Sequence, residues 1–396
     1  MKPLGEVAGL SLQERVQAAV EIAAQHAEAV DREGRFPIEA IEALRDMRLL
    51  GFAVPPELGG EGAGLAEIAP ICTALGGACA SAAMVFAMHH ICLANLIDCG
   101  LESPWHRELM HRATTEQLLF ASSTTEAGVG GDLRQSICAV EADADSGQFN
   151  LAKAAPVISY GEETDAIFAT ARRDPEAPSS DQVLCVLLRD QYELERVSTW
   201  DALGMRGTCS HGFRFKATAS AEQILPRPFA DIAAESMIAG SHILWSSVWS
   251  GIAADAIAKA QAFVIAEAKK TPGAPPASAT KLAEAYARFR VLEATIVDAL
   301  ARWAAMRAAP EQAATVSFSL AMNALKVSVS TAALQVVEDA LMICGLQGYK
   351  NSGSYGLGRH LRDIHSARLM ISNDRILAGA GQMMLMQRPS AAGRRA

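Results

Sequence analysis

Residues 124–132 read TTEAGVGGD and follow directly on the apolar, β-prone run LLFASS at residues 118–123. The glycines leave backbone N–H groups open to close approach by a ligand, and the hydroxyls of Thr124 and Thr125 add hydrogen-bond donors without bulk. Such a strand-to-loop segment is suited to hold a planar ring with polar edges, for example a flavin, although an ordinary tight turn uses the same residue types. No helix opens after these glycines as it does in a dinucleotide-binding βαβ unit, so a Rossmann fold is not expected.

The hydrophobic pattern changes on either side of this stretch. Residues 10–112 show the helical spacing of apolar side chains, and residues 118–228 consist of short β-prone runs separated by Gly, Asp and Ser. Four long helical patterns follow, at residues 232–270, 279–309, 311–344 and 361–386. We therefore predict a mostly α protein with a central β domain: an N-terminal helical domain (1–117), a small β-barrel or sandwich domain (118–228) and a C-terminal four-helix bundle (229–396).

The composition limits the kinds of partner. Of the 396 residues, 50% are hydrophobic and 20% are charged, the formal net charge is -9, and only Arg394–Arg395 are locally basic. A nucleic-acid groove needs a concentrated basic stripe, so no nucleic-acid partner is expected. The start of the chain does not resemble a secretory signal, and the apolar stretch at 82–97 is shorter than the roughly 20 residues of a bilayer span. These features predict a cytoplasmic protein without membrane insertion.

The eight cysteines are scattered along the chain without a Cys-x-x-Cys pair. This spacing favours small buried hydrophobic residues over metal ligands or redox pairs, so no metal site is expected.

Residues 124–132 resemble the Thr-Glu-Pro-Gly-Ala-Gly-Ser-Asp signature of the acyl-CoA dehydrogenase superfamily, with Ala127, Val129 and Gly131 at three positions. The likeness continues in the same order along the chain, through residues 36–60, 201–226 and 344–349 and the pair Arg362–Asp363. The resemblance implies the same order of helical, β and helical domains, FAD as the cofactor, and a homo-oligomer, either a dimer or a tetramer built from dimers.

The family's contacts with the flavin ring carry over to the central domain. The family's Trp-Ile-Thr strand matches residues 157–159 here, where a hydroxyl is kept and the aromatic wall is lost. The resemblance implies flavin contacts at Ser122, Thr124, Thr125, Gly130, Gly131, Val157, Ile158 and Ser159.

The family's contacts with the FAD pyrophosphate come from the neighbouring subunit and fall in the bundle. Its arginine is matched by Lys269, which keeps the charge but loses the bidentate geometry. Its pyrophosphate loop is matched by residues 342–346, where Met342 replaces a glutamine and is followed by Gly345 and Leu346.

The main departure from the family concerns the catalytic base. Dehydrogenation needs a carboxylate that removes the α-proton while hydride moves to flavin N5. The family's usual Glu, which precedes a Gly-Thr pair, falls on Ile371, and the Glu of a second lineage falls on Trp245. Asn373 matches the Thr of that pair, which implies a cofactor contact. Asp374 is the candidate base, because a continuous helix would place it nearly one turn beyond Ile371; the alternative is that it pairs with Arg375 or caps local backbone.

Three functions remain open. The sequence favours an FAD-dependent acyl-CoA dehydrogenase of fatty acid metabolism, acting on an acyl thioester with Asp374 as base and an electron-transfer flavoprotein as acceptor. The second is a flavin monooxygenase or oxidase of the same fold, which needs no carboxylate at position 371 and uses oxygen and a flavin reductase. The third is a non-catalytic subunit that binds FAD or acyl-CoA.

Overall fold

A computed structural model describes residues 7, 9–270, 272–273, 275–309 and 315–386. These residues form a helical domain, a β domain and a second helical domain in that order, which confirms the predicted fold class. The predicted domain limits at 117/118 and 228/229 stay predictions, and Arg394–Arg395 lie outside the described residues. The first strand begins at Phe120, and the first helix after the last strand begins at Phe229.

The N-terminal domain contains five described α-helices. They are α1 (Leu12–Glu33), α2 (Ile38–Asp46), α3 (Leu65–Ala78), α4 (Ala80–Gly100) and α5 (Pro104–Thr115). α1 begins after Ser11, whose backbone N–H donates to the Glu14 carboxylate at 2.8 Å and whose hydroxyl accepts the Glu14 N–H at 3.3 Å. α4 is buried on nearly every side, and the Nδ1 atom of its His89 accepts the Phe120 N–H at 3.0 Å. This bond ties the central helix of the domain to the first strand.

The β domain consists of two sheets. The strands are β1 (Phe120–Ser123), β2 (Glu141–Asp143), β3 (Gln148–Ile158), β4 (Ala166–Arg172), β5 (Gln182–Leu188), β6 (Tyr192–Ser198) and β7 (His211–Ser220). One sheet has the order β1-β4-β5, with β1 and β4 parallel, and the other has the order β2-β3-β7-β6. Along β3 buried and exposed side chains alternate, whereas β4 and β5 are buried on both faces. The first sheet therefore lies inside the protein and the second covers it on the solvent side.

The C-terminal domain is a bundle of long helices. Its elements are α6 (Phe229–Ile232), α7 (Ile238–Ala268), α8 (Ser278–Ala308), α9 (Val316–Cys344), the short α10 (Leu346–Tyr349), α11 (Gly358–Leu369) and α12 (Asn373–Met386). α7 also packs on α3 of the N-terminal domain, where Gly251 lies so close to α3 that an added Cβ would be 2.0 Å from the Thr73 carbonyl oxygen. The two helical domains thus share one core.

The last predicted helix, at residues 361–386, is wrong in one respect. The structure breaks it into α11 and α12, with Ile371 at the corner in a left-handed conformation (φ +50°). Asp374 consequently does not lie one helical turn beyond Ile371 on a continuous helix. The start of the third predicted pattern, at 311–314, lies outside the described residues; α9 begins after Thr315, whose hydroxyl accepts the Phe318 N–H at 3.2 Å.

Three helical segments are long and apolar enough to cross a membrane by length and composition: α4, residues Phe229–Ala268, and α9. The expectation that the most apolar stretch is too short is therefore wrong, because α4 extends over 21 residues. In the fold, 83% of the most apolar part of α4 is buried inside the protein. The apolar surface of this helix is accounted for by the protein core.

The cysteines behave as buried apolar side chains. All eight are free, and seven are buried. Among the described residues, no group of three or more His, Cys, Asp or Glu side chains is placed to hold a metal ion.

Candidate flavin site

The loop at residues 124–132 leaves β1 and turns on three glycines with positive φ: Gly128 (+94°), Gly130 (+61°) and Gly131 (+76°). An added Cβ at Gly130 would meet no atom within 4 Å, so the backbone of this exposed residue borders open space. The loop is held from beneath, because the buried carboxylate of Glu126 accepts the N–H groups of Ile137 at 3.0 Å and Cys138 at 2.7 Å. A glycine-lined edge results that is open to solvent and anchored through Glu126.

Thr125, whose flavin contact stays a prediction, makes a bond within the protein. Its hydroxyl donates to the Val157 carbonyl oxygen at 3.1 Å and so joins the loop to the end of β3. With this proton engaged, the hydroxyl offers a ligand acceptor capacity rather than a donor. Thr124, also half-buried, has no such bond among the described residues.

The end of β3 supplies a second group of hydroxyls. Ser159 lies 2.8 Å from the Ser210 hydroxyl, which in turn lies 2.9 Å from the Thr208 hydroxyl. The side chain of Ile158, the residue before Ser159, is fully buried in the hydrophobic core, and the flavin contact at Ile158 stays a prediction.

Two polar residues at β1 bear on the loop's fit to a cofactor. Ser122 is half-buried at the strand edge, and the buried Ser123 hydroxyl has no hydrogen-bond partner among the described residues. Open glycine backbone, half-buried hydroxyls and an unpaired hydroxyl together fit the polar edge of a flavin ring.

Sequence reasoning missed Lys153, which lies beneath this loop. Its ammonium group donates to the Ser123 carbonyl at 2.8 Å and to the carbonyl and hydroxyl of Thr170 at 2.7 and 2.9 Å. Burial lowers the pKa of the Lys153 ammonium. The alternation along β3 puts residue 153 on the inward face, and that pattern was the signal that could have found it.

The corner between α11 and α12 meets the same loop. The guanidinium of Arg375 donates to the carbonyl oxygens of Gly131 and Gly130, at 2.5 Å each. Arg375 is thus engaged with the loop rather than with Asp374. The carboxylate of Asp374 is exposed, and no hydrogen bond or ion pair is found for it within the described part of the chain.

Asn373 points into the bundle. Its side-chain oxygen accepts from the Lys326 ammonium at 2.6 Å, and its amide nitrogen donates to the Ser330 hydroxyl at 3.0 Å. Lys326 also donates to the Ile371 carbonyl at 2.6 Å, and burial lowers the pKa of this ammonium to about 8. The expected flavin contact at Asn373 therefore competes with these inward bonds. Lys326 was missed by sequence reasoning, although a lysine on the apolar stripe of α9 is a usable signal.

Neither expected base position carries a carboxylate. Ile371 is 41% exposed at the corner, and Trp245 is buried on α7 with its indole N–H unpaired among the described residues. Trp249, one turn further, is also buried and unpaired at its indole nitrogen, and the Lys326 ammonium lies 5.7 Å from the centre of its ring. Neither position holds a carboxylate, and the titratable side chains beside the two indole rings are His242 and Lys326.

The residues expected near a pyrophosphate form a separate group. α7 and α9 run in the same direction, because His242 contacts Met322 and Trp249 contacts Lys326 further along both helices. Their C-terminal ends therefore lie at one end of the bundle, about 25 Å along α9 from Lys326 at 1.5 Å per residue. Lys269, Met342, Gly345 and Leu346 are all exposed there. Within one chain, these residues are not brought to the flavin loop.

Two hollows lie elsewhere. One of about 150 Å³ is lined by Tyr160, Cys209 and His211 among others, and one of about 420 Å³ lies on the outer sheet beside Tyr192. None of the expected site residues lines either hollow.

Two family models match the chain: the acyl-CoA dehydrogenase N-terminal domain over residues 10–141 and the acyl-CoA dehydrogenase C-terminal domain over residues 231–388. Together they cover almost three quarters of the sequence. The chain belongs to the acyl-CoA dehydrogenase superfamily. This confirms the resemblance, and it makes the protein a flavoenzyme of this fold.

Among similar proteins, L-evernosamine nitrososynthase from a Micromonospora species is 28% identical over 364 residues, which are 87% of this chain and 82% of the relative. The amino sugar nitrososynthase DnmZ of Streptomyces peucetius is 28% identical over 356 residues, 86% of this chain and 84% of the relative. FMN-bound TdsC from Paenibacillus sp. A11-2, a dibenzothiophene monooxygenase, has a similar structure with a TM-score of 0.82, 19% identity, and coverage of 95% of this chain and 98% of TdsC.

Proposed function

We propose that this member of the acyl-CoA dehydrogenase superfamily is a flavin-dependent monooxygenase that oxidises a heteroatom, first of all an amine nitrogen, of a small organic molecule. The observation that carries this proposal is the loss of a carboxylate at both base positions, which hold Ile371 and Trp245. Dehydrogenation of a thioester needs a base beside the flavin, whereas oxygen insertion does not. This reverses the order of preference given by the sequence.

The similar proteins support the same choice. Two are nitrososynthases that align over most of their length, and the similar solved structure belongs to a monooxygenase. When bound and reduced, a flavin supplies the two electrons with which one atom of O2 enters the substrate and the other leaves as water. For an amine, the product of one such turnover is a hydroxylamine.

In this proposal the chain's own residues bind the flavin ring. The ring would rest on the glycine edge at 130–131, with Ser122, Thr124 and Thr125 along one side and Val157 and Ser159 along the other. The open loop suits a flavin that arrives reduced from a separate flavin reductase.

Either FMN or FAD would place its ring in this way. A comparison of the protein's affinity for FMN and for FAD identifies which of them is the cofactor. If FAD is used, Lys269, Met342, Gly345 and Leu346 would reach its pyrophosphate only from a second copy of the chain. The exposure of Met342 (71%), Leu346 (68%) and Tyr349 (75%) at that end of the bundle supports such a homodimer contact.

The test supplies the purified protein with photochemically reduced FMN or FAD, oxygen, and a panel of amines, including amino sugars, and of sulfides. Mass spectrometry detects the oxidised product and a peroxide assay detects uncoupled turnover. We expect a product heavier by one oxygen atom, labelled when 18O2 is used. Anaerobic loss of the oxidised-flavin absorption on adding an acyl-CoA would overturn the proposal in favour of the dehydrogenase, and binding of flavin without any turnover would favour the non-catalytic subunit.

Asp374→Asn separates the first two functions further. Because the Asp374 carboxylate is exposed and away from the bonds that hold the corner, we expect unchanged product formation and a free energy of unfolding within about 0.5 kcal/mol of the wild type. Loss of an acyl-CoA-dependent flavin reduction in this variant would instead identify Asp374 as the base of a dehydrogenase.

A further inference from the structure

Lys326 occupies an unusual place for a charged side chain. It lies in the middle of α9 between the buried Leu325 and Val329 and is itself fully buried. Its ammonium group lies 2.6 Å from the Ile371 carbonyl oxygen and 2.6 Å from the side-chain oxygen of Asn373. Both acceptors belong to the corner between α11 and α12.

The positive charge of the Lys326 ammonium group has no negatively charged partner among the described residues. Its acceptors are neutral, the face turned to α7 contains the Trp249 ring, and no carboxylate forms an ion pair with it among the described residues. The nearby titratable group on α7 is His242, whose pKa burial lowers to about 4, so it is neutral at pH 7. A buried ammonium without a counter-ion costs stability, and such groups concentrate at functional sites.

The corner that Lys326 holds is itself strained. Ile371 has φ +50°, a conformation that a β-branched residue rarely adopts and that needs support from its surroundings. Lys326 binds the carbonyl of this same residue and the side chain of the first residue of α12. Two residues later along α12, Arg375 binds the carbonyls of Gly130 and Gly131.

A continuous series of contacts therefore runs from Lys326 through the corner and the first turn of α12 to the glycine edge of the flavin loop. We propose that Lys326 is a positioning residue that fixes the α11–α12 corner against the flavin loop and so sets the position of the glycine edge that a bound flavin would contact. This inference rests on the proposed function for its consequence in turnover, but not for the contact itself.

The test compares Lys326→Met, which keeps the length of the side chain and removes its donors, with Lys326→Gln, which retains a donor. Lys259→Met is the matched control: Lys259 is a partly buried lysine of α7 that pairs with Asp255 at 3.0 Å, and Asp255 contacts α11 only near its start, at His360, 11 residues before Ile371. Two quantities are measured: the ratio of peroxide to oxidised product, and the hydrogen–deuterium exchange of the amides at 369–376 without flavin.

In Lys326→Met we expect the peroxide ratio to rise by at least about tenfold, because two hydrogen bonds from a charged donor are lost. We also expect the amides at 369–376 to exchange faster. Lys326→Gln is expected to recover part of both effects, and Lys259→Met to match the wild type in both. Equal behaviour of Lys326→Met and Lys259→Met in both measurements would overturn the inference.

The two proposals can fail separately. Absence of oxidised product from the wild type with every substrate refutes the proposed function, while the exchange of residues 369–376 still decides whether Lys326 holds the corner. If Lys326→Met does not fold, the decision passes to Lys326→Gln, whose unchanged exchange and peroxide ratio would contradict the inference.

Discussion

At the scale of single residues, the flavin loop shows that a side chain able to bind a cofactor can instead form a hydrogen bond within the protein. Thr125 was expected to donate to the flavin, yet its hydroxyl donates to the Val157 carbonyl. The same bond keeps the loop beside the end of β3, where Ser159 begins the hydroxyl series with Ser210. Thr125 can therefore influence the flavin site by holding the loop in place, without a hydrogen bond to the flavin.

Replacement of Thr125 by valine keeps the shape of the side chain and removes the hydroxyl. We expect the free energy of unfolding to fall by about 1 kcal/mol, because the Val157 carbonyl loses its donor. Urea unfolding and flavin titration are measured together, with Thr125→Ser, which keeps the hydroxyl, as the control. Weaker flavin binding at unchanged stability would show that the hydroxyl turns to the cofactor instead.

At the scale of secondary-structure elements, the side chain of Arg375 joins α12 to the loop after β1. Arg375 lies in the first turn of α12 and donates to two successive carbonyls of the loop. The planar guanidinium can meet two neighbouring oxygens at once, which a lysine cannot do. Gly131 must stay a glycine for this contact, because its φ is +76° and an added Cβ would lie 2.7 Å from the Arg375 guanidinium.

Arg375→Gln should loosen the loop from α12 and weaken flavin binding several-fold. The loss of an exposed charge-assisted contact changes the binding free energy by about 1 kcal/mol. Flavin affinity measured by fluorescence quenching and proteolytic sensitivity at residues 128–131 would both report the change. A substitution of the exposed Arg368 of α11 to Gln provides the control. An affinity equal to that of this control would show that the contact does not shape the flavin site.

At the scale of the whole molecule, buried histidines whose pKa is lowered make the fold sensitive to acid; among the described residues these are His89, His90, His106, His242 and His360. Desolvation by burial lowers the pKa of His89 to about 4, lowers that of His242 to about 4, and holds that of His90 well below its usual value. The Nδ1 atom of His89 must stay unprotonated, because it accepts the Phe120 N–H. Asp363 acts in the opposite direction, since burial raises the pKa of its carboxyl to about 6 although it accepts the Met205 N–H at 2.6 Å.

Whether stability rises or falls with pH depends on which state, folded or unfolded, binds more protons. Below pH 6.5 the unfolded chain protonates its histidines while the folded state does not, so stability falls with pH toward about 4. Asp363 offsets part of this loss between pH 6 and 3.8, because only the folded state holds its proton there. We expect the urea midpoint to decrease from pH 6.5 to 5, and His242→Gln to reduce the slope of the free energy of unfolding by up to about 1.4 kcal/mol per pH unit. An unchanged slope would show that His242 is protonated in the folded state.

Much of the fold follows from local patterns. The 3.6-residue spacing of apolar side chains gave the helical domains, short β-prone runs gave the β domain, and the glycines after β1 gave the loop at 124–132. The order of several motifs gave the family. These signals are legible because neighbouring residues in the chain are also neighbours in a helix, a strand or a turn.

The sequence by itself determined the order of helical, β and helical domains, the superfamily, and the absence of a carboxylate at both base positions, because each of these depends on residues close together in the chain. Only the tertiary structure decided the break at Ile371, the inward turn of Asn373, and the contact of Arg375 with a loop 244 residues away. Each depends on a partner that folding brings near, as Lys326 is 45 residues from Ile371 along the chain. Because the Lys326 ammonium group is removed from water, it must donate to protein acceptors that lie close to it.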